Sequence, residues 1–256
     1  MIYVFFRITA FFLAANVIFP KATPRVFKVS FSILLALLIG INVELDISIA
    51  NSYELIKYAA TETINGLILG YIVSICFYSL KIAGKLIDNQ IGLSMASTYD
   101  PNTESQATFM ENLIYFIGVT VFFSLNAHHI LINSIQQSFE IIPMGYSIIS
   151  YNMSYILKVF IEYFIIGMKV ASPIVLILVI TDLMTGIISR SISGLNVMII
   201  GMPLKMLIGI LFFIGTLPFM INQIHDIFRS LKDVLGGTLV FNDSFIVLLN
   251  IFFKIK

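Results

Sequence analysis

Apolar runs of roughly membrane-crossing length recur along the whole chain. They fall at about residues 2–19, 26–41, 63–80, 112–135, 156–188 and 195–224, with a weaker one at 239–253. A spanning helix needs about 20 predominantly apolar residues. Several of these runs are somewhat short, yet a series of them leaves little surface for a soluble fold to show to water. Composition agrees: 59% of the 256 residues are hydrophobic and 11% are charged, whereas soluble domains run near half apolar and a quarter charged. The expected class is an all-α integral membrane protein. The net charge of +1 offers nothing for a nucleic acid. Cys76 is the only cysteine and lies in an apolar run, so it has no partner for a disulfide within the chain. No metal-ligand spacing is present, and no cofactor is expected.

The first run resembles a signal peptide in length, but its basic residue, Arg7, lies inside it and no A-x-A-like cleavage site follows. It reads as a retained first helix. Segment 156–188 is too long for one crossing and carries Pro173, while 195–224 carries Pro203 and Pro218. Proline lacks a backbone donor, so kinks or breaks are expected there. Lys21, Arg25 and Lys28 make the 20–28 connection basic. Residues 42–61, with Glu44, Asp46 and Glu54 against Lys57, read as an acidic connection. The positive-inside rule puts the first on the cytoplasmic side and the second outside. Later loops are nearly charge-balanced and give no topology.

Residues 81–111 differ from the rest. Their first half is amphipathic and helix-like. Their second half is small and polar from Ser97 to Ser105, with an Asp100-Pro101 turn. Such backbone belongs in water or in a water-filled cavity.

A four-residue spacing of small and ionisable residues repeats along the chain. It runs through Glu62, Gly66, Gly70 and Ser74; then Gly84, Asp88, Gly92 and Ala96; then Asp182, Gly186, Arg190 and Gly194; then Gly201, Lys205 and Gly209. Pro203 lies within the last of these and is grouped with the packing residues. Residues four apart share a helix face. Small residues there let helices approach closely in a membrane, and charges at that depth should face protein or water. These stripes serve either as packing within one subunit or as contacts with other subunits around a wet pore.

Other residues carry alternatives of the same kind. His128 and His129 read as a proton relay or as a helix end near the interface. Met95, Met198, Met202 and Met206 read as a deformable seal or as plain packing. Cys76 reads as a small core residue. H-E-x-x-H, G-x-S-x-G and a Walker loop are absent. Glu62, Asp88 and Asp182 fall on separate segments by this reading. An enzyme is therefore not expected.

Four stretches together resemble the FliR family and its virulence-system counterpart, SctT. They are AGKLIDNQIGLSMASTYDP at 83–101, followed by Gln106; NAHHILINSIQQSFEIIP at 126–143; SPIVLILVITDLMTGIISR at 172–190; and NVMIIGMPLK at 196–205. Arg7, Ala10, Phe11, Pro20 and Pro24 fit the family's opening more weakly. Gly194 and Leu195 stand where the family usually has a proline before the asparagine.

The resemblance covers about residues 1–225, leaving 226–256 as a C-terminal tail. It implies long kinked helical hairpins, with a FliP-like portion followed by a FliQ-like hairpin, in a helical export-gate cone. The implied partners are several FliP-like and FliQ-like subunits, an FlhB-type protein, membrane lipid and the unfolded export substrates that pass through the pore. The implied place is the bacterial inner membrane, multi-pass, in the flagellar basal body. Residues Ser97, Thr98, Tyr99, Asp100 and Pro101 would form the channel plug. Glu62, Gly66, Gly70, Gly84, Asp88, Gly92, Asp182, Gly186, Arg190, Gly201, Pro203 and Lys205 would serve helix packing and assembly.

The expected function is thus a subunit of the flagellar type III export gate. A virulence-system gate subunit is the alternative. A small-molecule or ion transporter using Glu62, Asp182, Arg190, Lys205 and His128 as a relay is a third reading. That last reading calls for an inverted internal repeat, and the two halves show none.

Overall fold

A computed structural model of the chain describes residues 2–15, 23–41, 52–93, 108–142, 144–191 and 197–239. Among these residues there are seven α-helices and no strand: α1 (Ile2–Ala14), α2 (Arg25–Gly40), α3 (Ser52–Ile91), α4 (Phe109–Ser124), α5 (Ala127–Ile141), α6 (Ile148–Ser191) and α7 (Val197–Leu239). The all-α membrane expectation holds. Helices α3, α6 and α7 are each long and apolar enough to cross a bilayer. At 40, 44 and 43 residues, each is about 60 Å long or more, roughly twice a bilayer's apolar thickness.

Local chemistry moves several expected boundaries. The acidic 42–61 connection does not extend to residue 61, because α3 begins at Ser52 and Glu54 lies half-buried in its first turn. A carboxylate there faces the free amides of a helix N-terminus. Glu62 and Asp88 do not sit on separate segments, since the apolar and amphipathic stretches are one continuous α3. The 112–135 run is two helices. It breaks at Leu125 and Asn126, where Asn126 takes a φ of 53°, a left-handed conformation that asparagine tolerates better than most residues.

The prolines do not break their helices, for α6 runs through Pro173 and α7 through Pro203 and Pro218. At Pro173 the reason is visible. The carbonyl four residues back, on Lys169, has no proline N–H to accept, and the Ser172 hydroxyl donates to it at 2.8 Å instead. The weak apolar run at 239–253 lies outside the described residues apart from Leu239. Residue 226, where the tail was expected to start, lies within α7.

The chain divides into two compact units. One comprises Met1–Ser74, His129–Val159 and Leu231–Lys256; the other comprises Ile75–His128 and Phe160–Ser230. The first unit packs α1 along the first half of α3, and α1 also meets α2 through edge-to-face Phe12 and Phe31 at 5.4 Å. The second unit has an aromatic centre. Phe77 of α3, Phe122 of α4 and Phe228 of α7 lie mutually 5.0–5.4 Å apart. All three rings are buried, and such clusters add stabilisation beyond their area.

Candidate functional site

The stripe on the first half of α3 is filled by α1. A Cβ on Gly66 would overlap the Arg7 carbonyl oxygen and stand 2.9 Å from the Ala10 methyl; one on Gly70 would stand 2.5 Å from the Phe11 carbonyl oxygen. One turn further, the Ser74 hydroxyl donates to the Ala14 carbonyl at 2.7 Å. Residue numbers rise together on both helices, so α1 runs parallel to this part of α3. The glycines remove the side chains that would otherwise hold the backbones apart.

At the head of this stripe is a buried ion pair. The Arg7 Nε donates to Glu62 Oε2 at 2.5 Å, and both side chains are fully buried. Arg7 also donates through Nη1 to the Ser138 carbonyl and hydroxyl, at 2.7 and 3.1 Å, and through Nη2 to the Ile142 carbonyl at 3.3 Å. Its guanidinium lies 4.3 Å over the Phe139 ring. Glu62 Oε1 accepts from the Gly145 amide at 3.3 Å. Asn65, one turn along, donates to the Tyr146 carbonyl and accepts from the Ile148 amide. A buried charge is tolerated when it is paired and its remaining hydrogen-bonding capacity is met.

In the second unit, the second half of α3 meets the start of α4. A Cβ on Gly84 would stand 2.6 Å from the Glu111 amide nitrogen. Asp88, fully buried, accepts through Oδ2 from the Thr108 hydroxyl and from the Glu111 amide at 3.0 Å. Thr108 is the N-cap residue of α4 but gives no side-chain cap. Asp88 therefore caps α4 from another helix, with its charge on the positive end of the dipole. Gly92 departs from the packing expectation. It follows the last residue of α3 with a φ of +93°, and among the described residues nothing lies within 4 Å of where its Cβ would be. Its role within this chain is to end the helix, which the left-handed conformation does at low cost in glycine.

The α6 stripe is open. Among the described residues a Cβ on Gly186 would meet nothing within 4 Å, and Arg190 is exposed. Asp182 accepts through Oδ2 from Lys205 of α7 at 2.8 Å and from Gln90 of α3 at 3.2 Å. Its partner is thus on another helix rather than Arg190. Its side chain is 45% exposed in the single chain. The apolar neighbours Leu183, Met184 and Ile187 are all more than half exposed. On α7, Gly201 is buried and Pro203 exposed. Gly209 packs on the second half of α3, where its Cβ would stand 2.8 Å from Ile91 Cγ1.

The channel-plug residues at 97–101, Ala96, Met95 and Gly194 lie outside the described residues. Met202 and Met206 are exposed on α7, His128 and His129 stand at the start of α5, and Cys76 is buried as expected. Among the described residues, no three histidine, cysteine or acidic side chains gather to hold a metal ion. Sequence reasoning placed Glu62 in a stripe and noted Arg7, but did not join them. It gave no reading to Asn65 or Thr108, and Ser138 entered only within the 126–143 stretch. The available signal was a lone arginine inside an apolar run, which calls for buried acceptors, whether carboxylates or backbone carbonyls.

Comparison with known proteins places the geometry in context. The chain is 30% identical over 229 residues to the flagellar biosynthetic protein FliR of Bacillus subtilis (strain 168), covering 88% of each chain. It is 28% identical over 232 residues to FliR of Aquifex aeolicus (strain VF5), covering 88% of this chain and 89% of that one. It is also 28% identical over 158 residues to the Yop proteins translocation protein T of Yersinia pestis, covering 60% of each. The family model described as bacterial export proteins, family 1, matches residues 1–231. The chain belongs to that family of bacterial export proteins.

Proposed function

We propose that this chain is a wall subunit of the flagellar type III protein export gate, assembling with FliP-like and FliQ-like subunits and an FlhB-type protein. It resides in the bacterial inner membrane as a multi-pass protein of the flagellar basal body. Unfolded flagellar proteins cross the membrane through the channel it helps to form, and it acts by assembly and not by catalysis.

The observation that supports this reading is the uncovered length of α6 and α7. Along an apolar 18-residue stretch of each, only 33% and 17% of residues are buried, against 67% in α3. That open surface includes a half-exposed ion pair and an unfilled glycine, an unsuitable combination for lipid alone. In this reading neighbouring subunits cover the stripe at Asp182, Gly186 and Arg190. The virulence alternative draws on the Yersinia relative, but its match covers 60% of the chain against 88% for the first flagellar relative.

Two experiments test the proposal. Co-expression with FliP-like and FliQ-like subunits should yield one large hetero-oligomer on a native gel; recovery of this chain only by itself would refute it. Replacing residues 97–101 with a Gly-Ser linker should leave the complex intact but conducting in planar bilayers, while the unaltered complex stays silent. Equal silence from both intact complexes would remove the plug assignment.

A further inference from the structure

Arg7 does more than neutralise Glu62. Three of its four hydrogen bonds go to Ser138 and Ile142, at the end of α5. The Ser138 carbonyl keeps its helical bond from the Ile142 amide at 3.1 Å and accepts from Arg7 through its second lone pair, while the Ile142 carbonyl lies past the last residue of α5; a cation at a helix C-terminus also meets the helix dipole. Glu62 carries the connection onward, for its second oxygen holds the Gly145 amide. The two ends of the α5–α6 corner are thereby tied through a single ion pair, in the order Ser138 and Ile142 carbonyls, Arg7, Glu62, Gly145 amide.

Asn65, one helical turn from Glu62, completes the arrangement by holding the Ile148 amide at the first residue of α6. Gly145 has a φ of +89° and sits against the Tyr58 ring of the same α3 face. The Arg7 backbone is in turn fixed by the close approach of Gly66.

We infer that Arg7 is the positioning residue of the α5–α6 corner, setting where α6 begins, and that export through the assembled gate requires that corner. The chemistry calls for arginine specifically. A guanidinium presents donors in a planar fork that reaches a carboxylate and two carbonyls together, whereas a lysine ammonium is one compact point of charge. Glutamine at position 62 fails for a related reason. One end of its amide is a donor, and both groups it must face, the Arg7 Nε and the Gly145 N–H, are donors too.

The test uses the full chain co-expressed with its complex, in Arg7→Met, Arg7→Lys and the neutral double variant Arg7→Met with Glu62→Met. Arg7→Met leaves Glu62 buried without a counter-charge and should accumulate at least tenfold less. The double variant removes both charges and should recover to within twofold of the unaltered chain. In the recovered double variant and in Arg7→Lys, amides at 144–148 should exchange hydrogen at least tenfold faster, while those at 69–80 on α3 keep their rates. Swimming halos should shrink at least twofold.

Unchanged exchange at 144–148 in either variant would overturn the inference. So would exchange at the exposed-peptide rate at 144–148 in the unaltered complex, a measurement that stands even where a variant fails to accumulate. Fast exchange with a full-size halo would overturn the export requirement. The halo arm rests on the proposed export function. If the unaltered chain fails to restore swimming in a host lacking its own copy, that reading fails while the exchange arm still decides the role of Arg7.

Discussion

The stripe at Glu62, Gly66, Gly70 and Ser74 and the stripe at Asp182, Gly186 and Arg190 obey the same four-residue spacing and have opposite surroundings. On α3 every small residue touches backbone of α1, and the charge at its head is sealed. On α6 the glycine meets nothing among the described residues, and the charge at its head is half-exposed beside Lys205. Identical spacing thus does not by itself say whether a stripe is filled within the chain. The difference lies in the partner. Helix α1 supplies Ala10 and Ala14 at matching intervals, whereas nothing among the described residues supplies a matching face to Gly186.

Substitution at Gly66 should break the comparison most sharply. Gly66→Leu forces a branched side chain into the Arg7 carbonyl and the Ala10 methyl. Neither backbone can yield without moving a helix, and overpacking of this kind costs about 1–3 kcal/mol or more. Membrane-fraction immunoblots should show at least a tenfold loss of the chain; normal amounts would mean that α1 does not seat on α3. Gly186→Leu should behave in the opposite way. The chain should accumulate normally, with a stability change within about 0.5 kcal/mol, yet the native gel of the co-expressed complex should lose the large species. An intact complex would show that the open stripe is not an assembly face.

Charge substitutions extend the contrast at smaller amplitude. Asp88→Ala leaves the Glu111 amide and the Thr108 hydroxyl without their acceptor in a buried place. That should cost about 1–3 kcal/mol, visible as a lower midpoint in thermal unfolding of the purified complex. A midpoint unchanged from the unaltered protein would argue against the cross-helix cap. Asp182→Asn, at the half-exposed pair, should cost no more than about 1 kcal/mol in the same measurement. A larger drop than that of Asp88→Ala would mean that assembly buries Asp182 far more deeply than the single chain does.

Class and helix faces were legible in the sequence because they are local properties. Apolar length gives the membrane class, and i, i+4 spacing gives the stripes. What escaped was set by partners far away in sequence or by single-residue geometry. The Arg7–Glu62 pair spans 55 residues and the Arg7–Ile142 bond 135, and only the parallel seating of α1 on α3 brings them together. The break after α4 depends on one asparagine adopting a positive φ. The passage of α6 through Pro173 depends on a serine hydroxyl reaching back to one carbonyl. The merging of 63–80 with the helix-like amphipathic stretch after it was hidden because the apolar run stops at Lys81 and Lys85, which sit on the partly covered and exposed sides of a continuing helix.

The reach of Arg7 also dictates an order of events as the protein is made. Chains emerge N-terminus first at about 5–20 residues per second. The arginine is therefore synthesised roughly 3–11 seconds before Glu62 and roughly 7–27 seconds before Ile142 at that rate. An unpaired arginine at the middle of an apolar helix costs about 2.5–3.5 kcal/mol by insertion scales, so α1 has no stable resting place deep in lipid during that interval. It must wait at the interface, or beside the insertion machinery, until α3 brings the carboxylate. Helix α1 is thus locked only after α3 and the end of α5 have emerged, and before α6 and α7 are made.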